Sequence, residues 1–365
     1  MGFSCGIVGL PNVGKSTLFN ALTATAKAEV ANFAFTTIEP NVGRVAVPDP
    51  RLLEVARLAR SAKIVPSFLE FVDIAGLIRG ASTGEGLGNQ FLGQIRQVDA
   101  IAHMLRCFEC SNVAHATESV DPVRDAEIVE TELMLADLES LERRVNWAIK
   151  RARGGDLEAK GELALMEPAL AGLREGTPVR HTLTGNQLSE VQKLGVLTAK
   201  PVLYVCNVDE AAAATGNAHS ARVATMAAKE GIATVVISAA IEAEIATIDD
   251  TADQSKFLAS LGLTKTGLDR VIKAGYALLQ LITFFTAGPK EAHAWTITNG
   301  ALAAKAAGRV HTDMERGFIR AETISYDDFI AYNGEFGARE SGKLRSEGRD
   351  YAVRDGDVLL FRFNV

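Results

Sequence analysis

Cysteine is scarce in this chain. Four in 365 residues do not make a disulfide framework, and the one Cys-x-x-Cys, Cys107 to Cys110, lacks the second pair that a zinc site needs. The thiols are expected reduced, Cys5 and Cys206 inside apolar strand-like runs and Cys107 at a strand end. Basic charge is in deficit too. With 38 Lys and Arg against 45 Asp and Glu, net −7, there is no whole-molecule field for nucleic acid, and any such contact needs a local patch. No apolar run approaches the roughly 18 residues of a membrane helix, so no membrane partner is expected. The opening MGFSCGIVGL has no charged leader and enters a motif at once, which points to a cytoplasmic protein. What the chain does have is an ordinary globular balance, 47% hydrophobic and 23% charged, and enough length for two or three domains. Nothing in it suggests an obligate dimer, so a monomer is expected.

GLPNVGKS, Gly9 to Ser16, fits G-x-x-x-x-G-K-[ST]. CGIVG before it reads as a buried parallel strand. STLFNALTA after it reads as a helix with Leu18, Phe19 and Leu22 on its apolar side. Strand, glycine loop and helix start together make a phosphate site: backbone N–H groups turn toward phosphate oxygens, and the helix adds its positive end. Asn12, Val13, Gly14, Lys15, Ser16 and Thr17 are the expected cradle. Lys15 reaches the β- and γ-phosphates, and the Ser16 hydroxyl ligates Mg²⁺.

FLEFV followed by Asp73 supplies a carboxylate leaving a strand, the Walker-B position for Mg²⁺. Gly76 can offer its backbone N–H to a γ-phosphate at close range. Between these motifs, NFAFTTIEPNVG contains Thr36 and Thr37. Thr37 is favoured as the switch residue that closes over the γ-phosphate and completes the Mg²⁺ shell. Leu77 stands where Ras-like enzymes carry the glutamine that orients water, so hydrolysis needs another group or a cation. Gly80 to Phe91, with four glycines, reads as a mobile switch.

The base-reading motif is unusual. VCNVDE, Val205 to Glu210, has Asn207 where Asn-Lys-x-Asp begins, but Val208 for the lysine and Glu210 for the aspartate. In the standard motif that aspartate takes two hydrogen bonds from guanine, and adenine offers it only an acceptor. A displaced bidentate bond costs orders of magnitude in selectivity, so strict GTP preference is expected to be lost.

DIAGLIRGASTGEGLGNQFL, FTTIEPNVGRVAVPDPR, NVDE, AGRVHTDMERGFIRAETISYDDF and GKLRSEGRDYAVRDGDVLLFRFNV together resemble the YchF branch of the Obg-like ATPases, across essentially the whole length. The resemblance implies ATP and ADP rather than GTP, with Asn207 and the Val208 backbone reading adenine and Ser238 and Ala239 beside the base. Family members often have Lys where this chain has Ala240. It implies a catalytic role beside Lys15 and Gly76 for His115, although the usual HVxGKV reads HATESV here. Asn12 is the residue type that some G proteins use to hold K⁺, which makes K⁺ a candidate second cation. A ribosome or ribosomal RNA is the implied partner.

Three regions follow. Residues 1–116 and 197–282 read as an α/β P-loop nucleotide-binding domain with a mostly parallel sheet. Residues 117–196 read as an inserted helical hairpin, coiled-coil-like, with apolar positions at Ile128, Leu133, Leu135, Leu138, Leu141 and Val145 and a break at 154–156. Residues 283–365 read as a small α+β domain with turns at Gly288, Asn299-Gly300, Gly317 and Asp355-Gly356 and one helix near Tyr326 to Tyr332; the resemblance makes it a TGS domain, a ubiquitin-like β-grasp. On the hairpin, Arg143, Arg144, Lys150, Arg151 and Arg153 surround Trp147 without an acid. That is either a solvated helix face or a phosphate-backbone contact with a stacking ring. Three activities are compatible with these motifs: an ATP-hydrolysing ribosome-docking switch, an Obg-type GTPase, and a binding module in which hydrolysis is incidental.

Overall fold

The structure is a computed structural model describing residues 3–30, 41–74, 87–109, 119–248 and 250–364. Thr36, Thr37, Gly76, Leu77, the glycines of 80–86, Cys110 and His115 lie outside the described residues. Twelve strands are described: β1 Ser4–Val8, β2 Val42–Ala46, β3 Lys63–Val65, β4 Phe68–Asp73, β5 Ala100–Arg106, β6 Val202–Asn207, β7 Ala233–Ile237, β8 Leu281–Ala287, β9 Glu291–Thr298, β10 Phe318–Ile324, β11 Arg345–Glu347 and β12 Val358–Phe363. The chain divides into two compact units, Met1–Arg44 with Glu70–Leu278, and Val45–Leu69 with Leu279–Val365.

The first unit is built on the sheet β2-β4-β1-β5-β6-β7. β1 pairs parallel with β4 and β5, β5 with β6, and β6 with β7. Parallel strands covered on both faces read as unbroken apolar runs, which is why CGIV and VLYVC carry almost no polar residue. Ile7, Val8, Val205 and Cys206 are fully buried. Cys5, Cys107 and Cys206 are free thiols. The parallel arrangement brings the C-terminal ends of β1, β4, β5, β6 and β7 to one edge, where loops of open α/β sheets form sites.

Between β5 and β6 the chain makes the helices Pro122–Arg153 and Leu157–Arg174. Asp121 caps the first, accepting from the Arg124 N–H, with proline in its first turn, and Asp156 caps the second, accepting from the Ala159 N–H. Gly155 at φ +92° makes the turn. Leu141, Val145 and Ala148 share a buried cluster with Met166, Leu170 and Leu173. Leu135 departs from the expected apolar stripe and is 45% exposed. Asp137, buried, accepts from the Leu197 N–H at 2.8 Å, the Thr198 N–H at 2.7 Å and the Thr198 hydroxyl at 2.8 Å. It ties the long helix to the chain entering β6.

The second unit carries the sheet β11-β10-β12-β8-β9-β3. β8 and β9, β10 and β12, and β10 and β11 pair antiparallel, and β12 runs parallel to β8. Adjacent residues of β8 serve opposite faces. Phe284 joins Ala303, Ala307, Phe318 and Phe361, while Phe285 joins Leu52, Val55, Ala56, Phe329 and Val358.

Two expectations are corrected here. Residues 45–69 were assigned to the nucleotide domain by the sequence reading, but they belong to the second unit: β3 pairs parallel with β9, Ile64 opposite Ala292, and helix Pro50–Ala59 buries Leu52, Val55 and Ala56 against that sheet. Second, the C-terminal region holds more than the one expected helix. Tyr326–Ala331 is there, but so are Ala303–Val310, Thr312–Arg316 and Glu335–Glu340.

Candidate nucleotide site

The end of β1 runs into the loop Gly9–Gly14 and then helix Lys15–Val30. Asn12 at φ +62° and Gly14 at φ +100° make the curl. Gly14 also has no room for a side chain: a Cβ there would stand 2.5 Å from the Asn207 Nδ2. Lys15 is buried, its ammonium donating to the carbonyls of Gly9 at 3.0 Å and Leu10 at 2.8 Å. Burial lowers its pKa, and the Asp73 carboxylate partly offsets this. At the end of β4, Asp73 accepts from the Ser16 hydroxyl at 3.3 Å. Burial raises its pKa, opposed by Lys15 and by the Ser16 bond.

Asn207 ends β6 and braces the site. Its Nδ2 donates to the Val13 carbonyl at 3.0 Å, and its Oδ1 accepts from the Ala239 N–H at 2.9 Å. An amide has two donors and two lone pairs, so Asn207 keeps one of each for a base. Val208 keeps less than expected: its N–H is committed to the Ile237 carbonyl at 2.8 Å, so any contact it makes to a base uses the carbonyl. Asp209 is committed too, its carboxylate accepting from the Ala212 N–H at 3.1 Å as a cap. Glu210 follows it and starts the short helix Glu210–Ala212. Ser238 is buried, and its hydroxyl has no hydrogen-bond partner among the described residues.

These residues line one cavity of about 780 Å³: Asn12, Gly14, Lys15, Ser16 and Thr17 from the P-loop, Asn207, Val208 and Glu210 after β6, and Ser238 and Ala239 after β7. That volume is in the ordinary small-ligand range. Val13 is buried behind the loop. Phe108, Glu109 and Asp209 also line the cavity and were missed by motif reading. The Arg106 Nε donates to the Phe108 carbonyl at 3.2 Å, and its guanidinium lies 4.6 Å from the Phe108 ring centroid. The usable signal for Phe108 was topological: it follows a strand adjacent to β6 at the same sheet edge.

The basic cluster on helix Pro122–Arg153 is thinner than the sequence suggests. Folding brings acids to it from outside the helix. Arg151 donates to Asp156 at 2.7 Å and lies within 3.5 Å of Glu158 and Glu162. Arg144 donates to the Leu194 carbonyl at 2.7 Å, and Arg143 is 3.7 Å from Glu139. Lys150 and Arg153 are exposed. Trp147 is 60% exposed, with the Arg151 guanidinium 4.5 Å from its ring centroid.

Comparison with known proteins agrees with this geometry. The family model MMR_HSR1, "50S ribosome-binding GTPase", matches residues 4–143, and YchF-GTPase_C, "Protein of unknown function (DUF933)", matches residues 281–364. The chain is 53% identical to "Ribosome-binding ATPase YchF" of Escherichia coli O157:H7 and 54% identical to that of Haemophilus influenzae, each alignment covering 100% of both chains. The protein of that name from Bacillus subtilis is 49% identical, again over 100% of both. The solved structure of the Schizosaccharomyces pombe YchF GTPase superposes with a TM-score of 0.89 at 34% identity, over 99% of this chain and 98% of that one. The chain belongs to the YchF family.

Proposed function

We propose that this protein is a ribosome-binding ATPase that hydrolyses ATP to ADP and phosphate as a switch. The observation that carries the reading is the two-ended cavity. Lys15 and Ser16 line its phosphate end, with Asp73 bonded to Ser16, and Asn207, Val208, Glu210 and Ser238 line its base end. The Ser16 hydroxyl and Asp73 carboxylate, hard oxygens 3.3 Å apart, fit Mg²⁺. Ser16 and Asp73 would supply two of the Mg²⁺ oxygens, and Thr37, phosphate oxygens and water would complete the shell. Mg²⁺ bound there neutralises charge on the phosphates. Lys15 and the loop N–H groups position them.

The base end favours adenine on the chain's own chemistry. The Val208 carbonyl is an acceptor for the adenine amino group, and the Asp209 carboxylate is engaged at Oδ1 as a cap rather than standing in for the missing guanine-reading aspartate. Thr37 as switch ligand, Gly76 as γ-phosphate donor, His115 as catalytic helper and K⁺ beside Asn12 belong to the same reading. So does a monomeric, cytoplasmic protein; no helix among the described residues is long and apolar enough to cross a membrane. The second unit supports a β-grasp assignment, since β8 and β12, the first and last strands of its Leu279–Val365 part, lie parallel inside the order β11-β10-β12-β8-β9-β3. Ribosomal contact is assigned to this unit and to Lys150, Arg153 and Trp147.

Calorimetric titration of ADP and GDP in Mg²⁺ buffer tests the nucleotide. ADP is expected to bind at least tenfold tighter, a gap of about 1.4 kcal/mol. If GDP wins, Glu210 reaches guanine and the protein is an Obg-type GTPase. Co-sedimentation with ribosomes that is indifferent to nucleotide and to Lys15→Ala would remove the switch.

A further inference from the structure

The first unit holds a second cavity, of about 390 Å³, apart from the nucleotide site. Helix Pro122–Arg153 lines it with Glu127, Glu130 and Thr131, and β6 lines it with Tyr204. Arg180 and His181 of the short helix Val179–Thr182 and Lys229 and Glu230 of helix Ala218–Glu230 add the remaining charged groups of the wall.

Its polar groups are incompletely paired. The Arg180 side chain is 9% exposed and bonds Glu130 through Nη1 at 2.9 Å and Nη2 at 2.6 Å. Its Nε–H is buried with no partner among the described residues. A buried donor left unpaired costs on the order of 1–3 kcal/mol, and native proteins keep few without a water or ligand to explain them. Outside the lining, His103, opposite Tyr204 in the sheet register with ring centroids 5.6 Å apart, also has its Nε2 unpartnered among the described residues.

The charges point to the occupant. Arg180 and Glu130 neutralise each other, and Lys229 offsets one of the two remaining carboxylates, so the Lys, Arg, Asp and Glu of the lining sum to −1. Glu127 is exposed with no cation in ion-pair contact among the described residues, and Glu230 has only His181, at 3.8 Å. Burial, then the carboxylates of Glu130 and Glu230, push the Tyr204 hydroxyl's pKa up, as a net negative field at the cavity floor would.

We propose that this cavity binds a small organic amine that also carries a carbonyl or carboxylate oxygen, the size of an amino acid. Its ammonium sits between Glu127 and Glu230, and its oxygen accepts from the Arg180 Nε–H. The occupant would brace helix Pro122–Arg153 against β6, whose last residue is the base-side Asn207, three positions beyond Tyr204.

The test uses the whole protein and three probes at matched ionic strength, read by saturation-transfer NMR and thermal shift. Lysinamide carries both groups, butylamine lacks the oxygen, and glutarate lacks the ammonium. Lysinamide is expected to bind and raise the melting temperature, butylamine to bind about tenfold more weakly, and glutarate not to bind. Glu127→Gln, at an exposed position, is expected to leave the free protein's melting temperature and its ADP affinity unchanged and to weaken lysinamide about tenfold. No lysinamide binding, or equal binding by Glu127→Gln and Glu127→Gln/Glu230→Gln, overturns the proposal and leaves a hydrated cavity.

Discussion

Gly14 and Asn207 show how one residue limits another across the sequence. The glycine is required twice, by φ +100° and by the amide 2.5 Å from where its Cβ would be. The motif signals the first requirement, because a phosphate-cradling loop needs positive φ somewhere. The second depends on a residue 193 positions away and is not visible until β1 and β6 flank β5. His103 is a residue-scale case with a measurable consequence. It is fully buried in β5, and burial, then the Arg180 and Lys15 charges, hold its pKa at about 3 instead of 6.5. The unfolded chain takes up a proton that the folded state refuses. The His103 contribution is therefore intact above pH 6.5 and lost as pH falls toward 3, at up to about 1.4 kcal/mol per pH unit. In urea unfolding between about pH 6.5 and pH 4, His103→Phe is expected to flatten the decline. A slope equal to that of the parent protein would assign the acid loss to other groups.

At the scale of elements, sequence patterns worked where period and punctuation agreed. The apolar spacing of 123–153 and the Gly-Gly-Asp after it gave the long helix within a residue of its observed ends. Alanine defeated the same logic at Ala303–Val310. Its buried face is Ala303, Ala304, Ala306 and Ala307; the contrast with Lys305 and Arg309 is present, but it rests on alanines over only eight residues of a strand-rich stretch, although alanine is the best helix former. Polar anchors between elements were equally hidden. Asp137 lies on the buried side of helix Pro122–Arg153 and holds two backbone N–H groups and a hydroxyl. Asp137→Ala is expected to cost about 2–4 kcal/mol, since it strands three donors. Asp137→Asn, which sets an amide donor against one of them, should lose nearly as much. Urea unfolding of both variants checks this; a loss below about 1 kcal/mol would mean water replaces the carboxylate.

At the scale of the molecule, motif reading marks chemistry better than it marks boundaries. The P-loop at 9–16 and Asp73 both belong to the nucleotide unit, so everything between them was assigned there. The 45–69 segment carries no chemistry of its own, and only its partners, β9 and the Phe285 face, reveal where it folds. Residues 281–364 expressed alone are therefore expected to leave Phe285, Ala292, Ala294, Phe329 and Val358 uncovered. Such a fragment should bind a hydrophobic dye and give a poorly dispersed amide NMR spectrum, and adding a peptide of residues 45–69 should reverse both. A well-dispersed spectrum from the fragment alone would show that this face tolerates water.

That division of the chain also sets an order in time. A growing chain delivers residues 45–69 about 210 residues before the strands they cover. At ~5–20 residues per second, Leu52, Val55 and Ala56 wait on the order of ten to forty seconds without their sheet. The nucleotide unit has all its strands well before then, so the newborn protein can hold a nucleotide while its second unit is still unmade.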